Sequence, residues 1–264
     1  MQRANLKPDS IDQLSRKFEQ RVLPQPLFLN SLPKSGSHLL RNIIRMFVPV
    51  AQQYKRQFIQ HAIFDEHRVA FQKQMPLLSW GHLLFSDKAA VELTGVRKIL
   101  LVRDPYTWVL SCARFLISDE FSGLDELKEE QVTAEQLVNL VIFGIWQKLP
   151  SLSEQYTHNV VAWLGTGVHL VRFESLVQAV RDLETPKSEH FFTELLEACG
   201  IERPEDWRER VRVGADPAES GTSAENIRIR KDIPSTLPDL HRRMVDYAAP
   251  GLRSLLGYEG GEIQ

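Results

Sequence analysis

Cysteine is scarce in this chain. The two present, Cys112 and Cys199, lie far apart, match no metal-ligand spacing and are too few for a disulfide framework, so a reducing compartment is expected and no metal is implied. Long apolar runs are missing too. The nearest approach, Leu137 to Trp146, is too short to span a bilayer and carries Asn139. The first twenty residues have no apolar core of a signal peptide, and the expectation is a soluble, cytoplasmic protein without a membrane span. Excess charge of either sign is lacking: 32 Lys plus Arg stand against 34 Asp plus Glu, a formal charge of −2. That balance gives no global electrostatic reason to expect a nucleic-acid polymer or an anionic membrane as partner, although it leaves room for a local basic pocket. No internal repeat or low-complexity tract is found.

What is there is ordinary globular material. Apolar residues make up 43% and charged residues 25% of 264 positions, which sets aside disorder, collagen and coiled coil. The length suits one large α/β domain, read here as a single domain over 1–264 with an N-terminal helical extension over 1–26. In that extension Asp9 or Ser10 can cap a helix running from Ser10 to Val22, stopped by Pro24 and Pro26.

Strands and helices then alternate. Leu27-Phe28-Leu29 reads as a buried strand, Leu77 to Leu84 as a short strand running out near Gly81-His82, Val96 to Val102 as the clearest strand, and Val168 to Phe173 as another. Helices are expected after residue 37, over Trp108 to Ile117, Leu137 to Leu149 and Phe191 to Cys199, and over Leu240 to Leu256 with a break at Pro250-Gly251. Continuous apolar strands belong to parallel sheets covered on both faces. The predicted fold is therefore α/β, a mostly parallel central sheet flanked by helices on both faces, with a P-loop-like nucleotide-binding architecture. Residues 51–74 show no clear period and read as helix and loop. The acidic stretch 118–135 reads as a solvated loop leading into a helix; a mobile lid is the sharper alternative.

Two motifs carry chemistry. Pro33-Lys34-Ser35-Gly36-Ser37-His38 lies between a strand and a helix, where Gly36 allows close backbone approach, N–H groups of the helix start donate, and Lys34 adds a mobile charge: an anion cradle. Lys34 precedes its glycine, so this is not a Walker A loop. Taken alone, the hexapeptide is as well read as a plain turn with a solvated lysine. Arg103-Asp104-Pro105 follows the clearest strand directly, and Ser111 comes eight residues after Arg103. Strand carboxyl ends are where parallel sheets gather ligands, although Arg103 alone is better read as the partner of a carboxylate.

Together the two motifs resemble those of the sulfotransferase family, which uses 3′-phosphoadenosine 5′-phosphosulfate (PAPS). Pro33-Lys34-Ser35-Gly36-Ser37 is similar to the family's P-K-S-G-[TS] loop for the 5′-phosphosulfate. Arg103-Asp104-Pro105 with Ser111 is similar to its R-x-P-x₅-S element for the 3′-phosphate. Gly81-His82-Leu83 resembles the family's strand ending in a histidine base, and Val171 to Leu176 its V-x-[YF]-E-x-L segment, in which Phe173 would lie near the adenine. The resemblance spans about Leu27 to Leu176. Beyond it, the family's R-K-G-x-x-G-x-W segment is degraded: Arg228, Arg230 and Lys231 are present, but Asp232 stands in place of a glycine and no tryptophan follows. Leu39 stands where the family often has an aromatic residue that stacks on adenine.

The resemblance implies in-line transfer of a sulfonate from PAPS to a hydroxyl of a small-molecule acceptor, leaving 3′-phosphoadenosine 5′-phosphate (PAP). Lys34 and His82 would be catalytic, Lys34 neutralising developing charge and His82 acting as base. Lys34, Ser35, Gly36, Ser37, His38, Arg103, Ser111, Phe173, Arg230 and Lys231 would bind the nucleotide. His38 is the chief rival to His82. Two other readings stay open. Ile99 to Asp104 can be read as a Walker B strand of a phosphoryl-transferring enzyme, with Asp104 on magnesium, and the degraded C-terminal segment suits a non-catalytic nucleotide-binding module. Trp80, Trp108, Trp146, Trp163 and Trp207 are expected as core or pocket wall, and Arg203 to Arg212 as a solvated helix face with ion pairs.

Overall fold

The apolar runs around Leu27, Leu78, Ile99 and Val171 all become strands. A computed structural model describes residues 3–4, 9–56, 58–129, 131–220, 229 and 232–258. Its strands are β1 Arg3–Ala4, β2 Leu27–Ser31, β3 Ile59–Gln60, β4 Leu78–His82, β5 Arg97–Val102, β6 Phe121–Ser122 and β7 Val168–Arg172. Its first helices are α1 Ile11–Ser15, α2 Ser37–Arg45, α3 Asp87–Glu92, α4 Pro105–Leu116, α5 Ala134–Phe143 and α6 Leu152–Asn159. They are followed by α7 Phe173–Arg181, α8 Pro186–Cys199, α9 Trp207–Gly214, α10 Asp239–Ala248 and α11 Leu252–Leu255.

The chain divides into two compact units. The first, 7–102 with 158–221, holds a five-stranded sheet in the order β3-β4-β2-β5-β7, every neighbouring pair parallel. One face buries Leu27, Leu29, Leu78, Trp80, Ile99, Leu101 and Val171 against Ile43 of α2, Phe47 just beyond it, Phe192 and Leu195 of α8, and Val211 of α9. On the other face Phe28 meets Phe71 edge-on, ring centres 5.4 Å apart, from a 3-10 stretch over His61–Phe71. Helices thus flank a parallel α/β sheet covered on both sides, which is why its strands read as unbroken apolar runs. The seam between α2 and α9 depends on Gly214: a Cβ there would stand 2.7 Å from the Ile43 Cα.

The N-terminal helix is shorter than the sequence suggests. It ends at Ser15, whose carbonyl accepts from the Gln20 amide at 2.7 Å. It is tied to α2 by Asp9 and Asp12, which pair with Arg45 at 2.8 Å each, Asp9 also with Arg41. Strand β3 lies within the stretch read as helix and loop. The Arg203 to Arg212 stretch carries the expected ion pairs, Arg203 and Arg208 with Glu189 and Arg212 with Glu209, but Arg210 departs from a solvated face: it is buried, donating to Asp206 and to the carbonyls of Met46 and Glu19.

The second unit is 103–157 with the described residues of 1–6 and 222–264. Here α4 packs on α5, and α10 on both. Thr133 and Gln136 form a reciprocal capping box at the start of α5. The acidic stretch is anchored by buried Phe121, Leu124 and Leu127, and β6 pairs antiparallel with β1. Trp146 corrects an expectation: it is 87% exposed rather than core. Gly144, at φ 81°, turns the chain out of α5, and a tight turn bridged between Ile145 and Leu149 carries the indole outward. Among the described residues no helix is long and apolar enough to cross a membrane.

Candidate functional site

In the first unit the parallel strands end on one edge, and three of them, β2, β4 and β7, deliver residues there. After Ser31, the last residue of β2, the chain turns through Leu32 to Gly36 into α2. Lys34 sits at φ 66° and Gly36 at φ 87°, both left-handed. Only glycine takes that conformation without strain. A Cβ on Gly36 would also stand 2.4 Å from the ring of Phe173, the first residue of α7 beyond β7. Among the described residues no side chain caps the first turn of α2, and no acidic residue lies in that turn. The helix start is therefore electropositive, with Lys34 beside it. Ser35 is fully buried and its hydroxyl has no hydrogen-bond partner among the described residues, an orphan in the wall of a cradle suited to an anion's oxygens.

His82 ends β4. Its Nδ1 lies 2.9 Å from the carbonyl oxygen of Ser31 and 3.2 Å from the Ser31 hydroxyl. A carbonyl only accepts, so Nδ1 carries the proton and Nε2 of the neutral ring keeps its lone pair. Burial, opposed by the Ser31 hydrogen bond and aided by the charge of Lys34, pulls the imidazole down to about 4. His82 is thus neutral near pH 7. The Ser31 hydroxyl also lies 2.8 Å from the Ser37 hydroxyl and 3.3 Å from the Gly81 carbonyl, linking the His82 ring to the loop.

Phe58 stacks on His82, ring centres 4.9 Å apart and 17° from parallel, and its other neighbour is His38, tilted at 5.3 Å. The Arg41 guanidinium lies over both Phe58 and Trp80. Burial, then the charges of Arg41, His82 and Lys34, holds His38 down at about 3. No hydrogen bond orients its ring among the described residues. Of the two histidines, His82 is the one with a fixed tautomer.

Lys34, Ser35, Gly36, Ser37, His38, His82 and Phe173 therefore come together on this unit. Leu39 packs against the core instead of presenting an aromatic face. Arg103 and Ser111 belong to the other unit. There the Arg103 Nε donates to the Thr107 hydroxyl at 3.0 Å, the Arg103 carbonyl accepts from Tyr156 at 2.7 Å, and Ser111 lies within α4. Asp104 is buried and occupied. It caps α4 by accepting from the Tyr106 N–H at 2.9 Å and pairs with Arg253 at 3.0 Å. That structural role counts against the magnesium-binding alternative. Arg228, Arg230 and Lys231 lie outside the described residues.

The sequence reading missed Ser31, Asn30 and Phe58. A polar Asn30 inside a buried strand was a visible signal. Phe58 gave none, because its segment has no period.

No family model matches the chain, and no curated protein sequence does. Solved structures do. A mouse sulfotransferase, SULT7A1, complexed with PAP, superposes with a TM-score of 0.60 at 15% identity, over 94% of this chain and 92% of that one. Retinol dehydratase, in complex with androsterone and inactive cofactor PAP, superposes with a TM-score of 0.50 at 12% identity, over 92% and 84%.

Proposed function

We propose that this chain, which has the sulfotransferase fold, is a PAPS-dependent sulfotransferase acting on a hydroxyl of a small-molecule acceptor. The observation that carries the reading is the pairing of an uncapped, lysine-bearing anion loop with a neutral histidine whose Nδ1 proton is held by Ser31. The orphaned Ser35 hydroxyl and the glycine-dependent turn at Gly36 fit an anionic group seated at the start of α2.

In this reading Lys34, Ser35, Gly36 and Ser37 hold the 5′-phosphosulfate, with His38 beside them. From their sequence motif, Arg103 and Ser111 hold the 3′-phosphate, with Arg230 and Lys231 as further cations and Phe173 near the adenine. The bound donor supplies a sulfonate whose sulfur–oxygen bond to the 5′-phosphate breaks as the acceptor oxygen attacks. Lys34 and the loop N–H groups meet the charge that grows on the departing oxygen. His82 Nε2 takes the acceptor's proton. Phe58 against His82 supplies apolar surface beside the base. A soluble cytoplasmic enzyme is the corresponding setting.

The test is transfer of labelled sulfonate from PAPS to a panel of phenols, alcohols, sugars and lipids. We expect turnover on at least one class, abolished in Lys34→Ala. Binding of PAP without transfer to any class would support the non-catalytic module instead, and magnesium-dependent phosphoryl transfer the kinase-like alternative.

A further inference from the structure

Asn30 occupies a place where an apolar residue would be expected. It lies in the central strand β2, pairs with Leu100 on one side and Gly81 on the other, and is 1% exposed. An amide buried there is unfavourable unless both its ends are bonded. Both are, and to a single residue: the Leu83 N–H donates to Asn30 Oδ1 at 2.9 Å, and Asn30 Nδ2 donates to the Leu83 carbonyl at 3.1 Å. The same carbonyl accepts from the Trp163 indole N–H at 3.0 Å.

The backbone pairing of β2 with β4 ends at Asn30 and Gly81. Beyond that point the Asn30 side chain does the work of a strand backbone for one more residue. His82 is therefore held on three sides: Gly81 before it is in the sheet ladder, Leu83 after it is clasped by Asn30 and Trp163, and its ring is bonded to Ser31. A residue pinned at both neighbouring peptides has little freedom to swing its side chain.

We propose that Asn30 is a positioning residue for His82: by clasping Leu83 at both its N–H and its carbonyl it fixes the backbone that carries the imidazole, and so keeps the Nδ1 proton on Ser31 and the lone pair on Nε2. Its consequence for catalysis rests on the reading of His82 as base.

The test uses the full chain with ¹⁵N-labelled histidine. Long-range proton–nitrogen spectra report the tautomer of each ring, with His82 assigned through His82→Gln. We expect one Nδ1-protonated tautomer in the wild type. Asn30→Ala should give a mixture of tautomers and a ring that titrates nearer the ordinary histidine range. Asn30→Asp, of the same shape and still accepting from the Leu83 N–H, should fall between them, and it serves as the test should the alanine variant not fold. Unchanged His82 resonances in both variants overturn the proposal.

Kinetics on 2-naphthol, a simple phenol, give a second readout. Asn30→Ala should lower kcat at least tenfold with the Kd for PAP unchanged within twofold, and should add no further loss to His82→Gln. Losses that multiply in the double variant overturn the coupling. A His82→Gln enzyme as active as the wild type sinks the base reading instead, and leaves the spectra to decide the role of Asn30.

Discussion

The His82 Nδ1 and the Ser31 carbonyl oxygen stand 2.9 Å apart, and that bond joins the end of one strand to the start of the anion loop beside it. It assigns the ring's proton, leaves Nε2 as an acceptor, and ties the imidazole to the residue just before the turn that carries Lys34.

The same burial has a pH signature. His82 titrates at about 4 and His38 at about 3 in the folded chain, against an ordinary 6.5. Charging is thus disfavoured in the fold, and the unfolded chain takes up protons first. Stability should fall as pH drops from about 6.5 towards 4. Each ring adds up to about 1.4 kcal/mol per pH unit to that slope. Asp9 and Asp12 act lower. Burial raises their carboxyls, but hydrogen bonds and charge from Arg45 outweigh it and hold both below the usual range. Their contribution is present above the ordinary carboxylate pKa and is lost below it. Urea unfolding at stepped pH should therefore show a gentler slope between 6 and 4 in His82→Gln. An identical slope would mean that the ring is not buried as described.

Gly36 is tested by Gly36→Ala. A left-handed φ of 87° and a Cβ 2.4 Å from the Phe173 ring together should destabilise by about 1–3 kcal/mol. Pairing it with Phe173→Ala removes the collision but not the strain. The double variant should therefore recover part of the loss beyond what Phe173→Ala alone predicts. Strict additivity in urea midpoints would deny the contact between these two residues.

Much of this architecture was legible. Leu27, Leu78, Ile99 and Val171 announced their strands because a doubly covered strand needs apolar residues on both faces. Helix α8 ends at Cys199, the end read from the sequence, with Gly200 closing it in a left-handed conformation. Ile59–Gln60 escaped because two residues carry no period. Trp146 misled because hydrophobicity alone does not say that a turn will carry the ring into solvent. The left-handed turn before α2 was readable from residues adjacent in sequence. The bond of His82 to Ser31 and the clasp of Asn30 on Leu83 join residues about fifty positions apart, which only the parallel pairing of β2 with β4 brings together.

Arg103 carries the part of the reading that rests on sequence motif. If it holds the 3′-phosphate, the wild type should bind PAP far more tightly than adenosine 5′-phosphate. Arg103→Ala should narrow that ratio by roughly 10- to 100-fold, the worth of a charge-assisted hydrogen bond. Affinity for adenosine 5′-phosphate itself should barely change. Calorimetry with the two nucleotides reads both quantities, and an unaltered ratio would remove Arg103 from the site.

The most direct measurement is the melting temperature of the wild type and of Lys34→Ala with and without PAP. At a hundred times Kd, a ligand that binds only the folded chain stabilises it by about 2.7 kcal/mol, which for a chain of this size raises Tm by roughly 5–10 °C. The wild type should show that rise and Lys34→Ala should lose most of it. A wild type that melts at the same temperature with and without the nucleotide, or a Lys34→Ala variant that responds in full, would contradict the account.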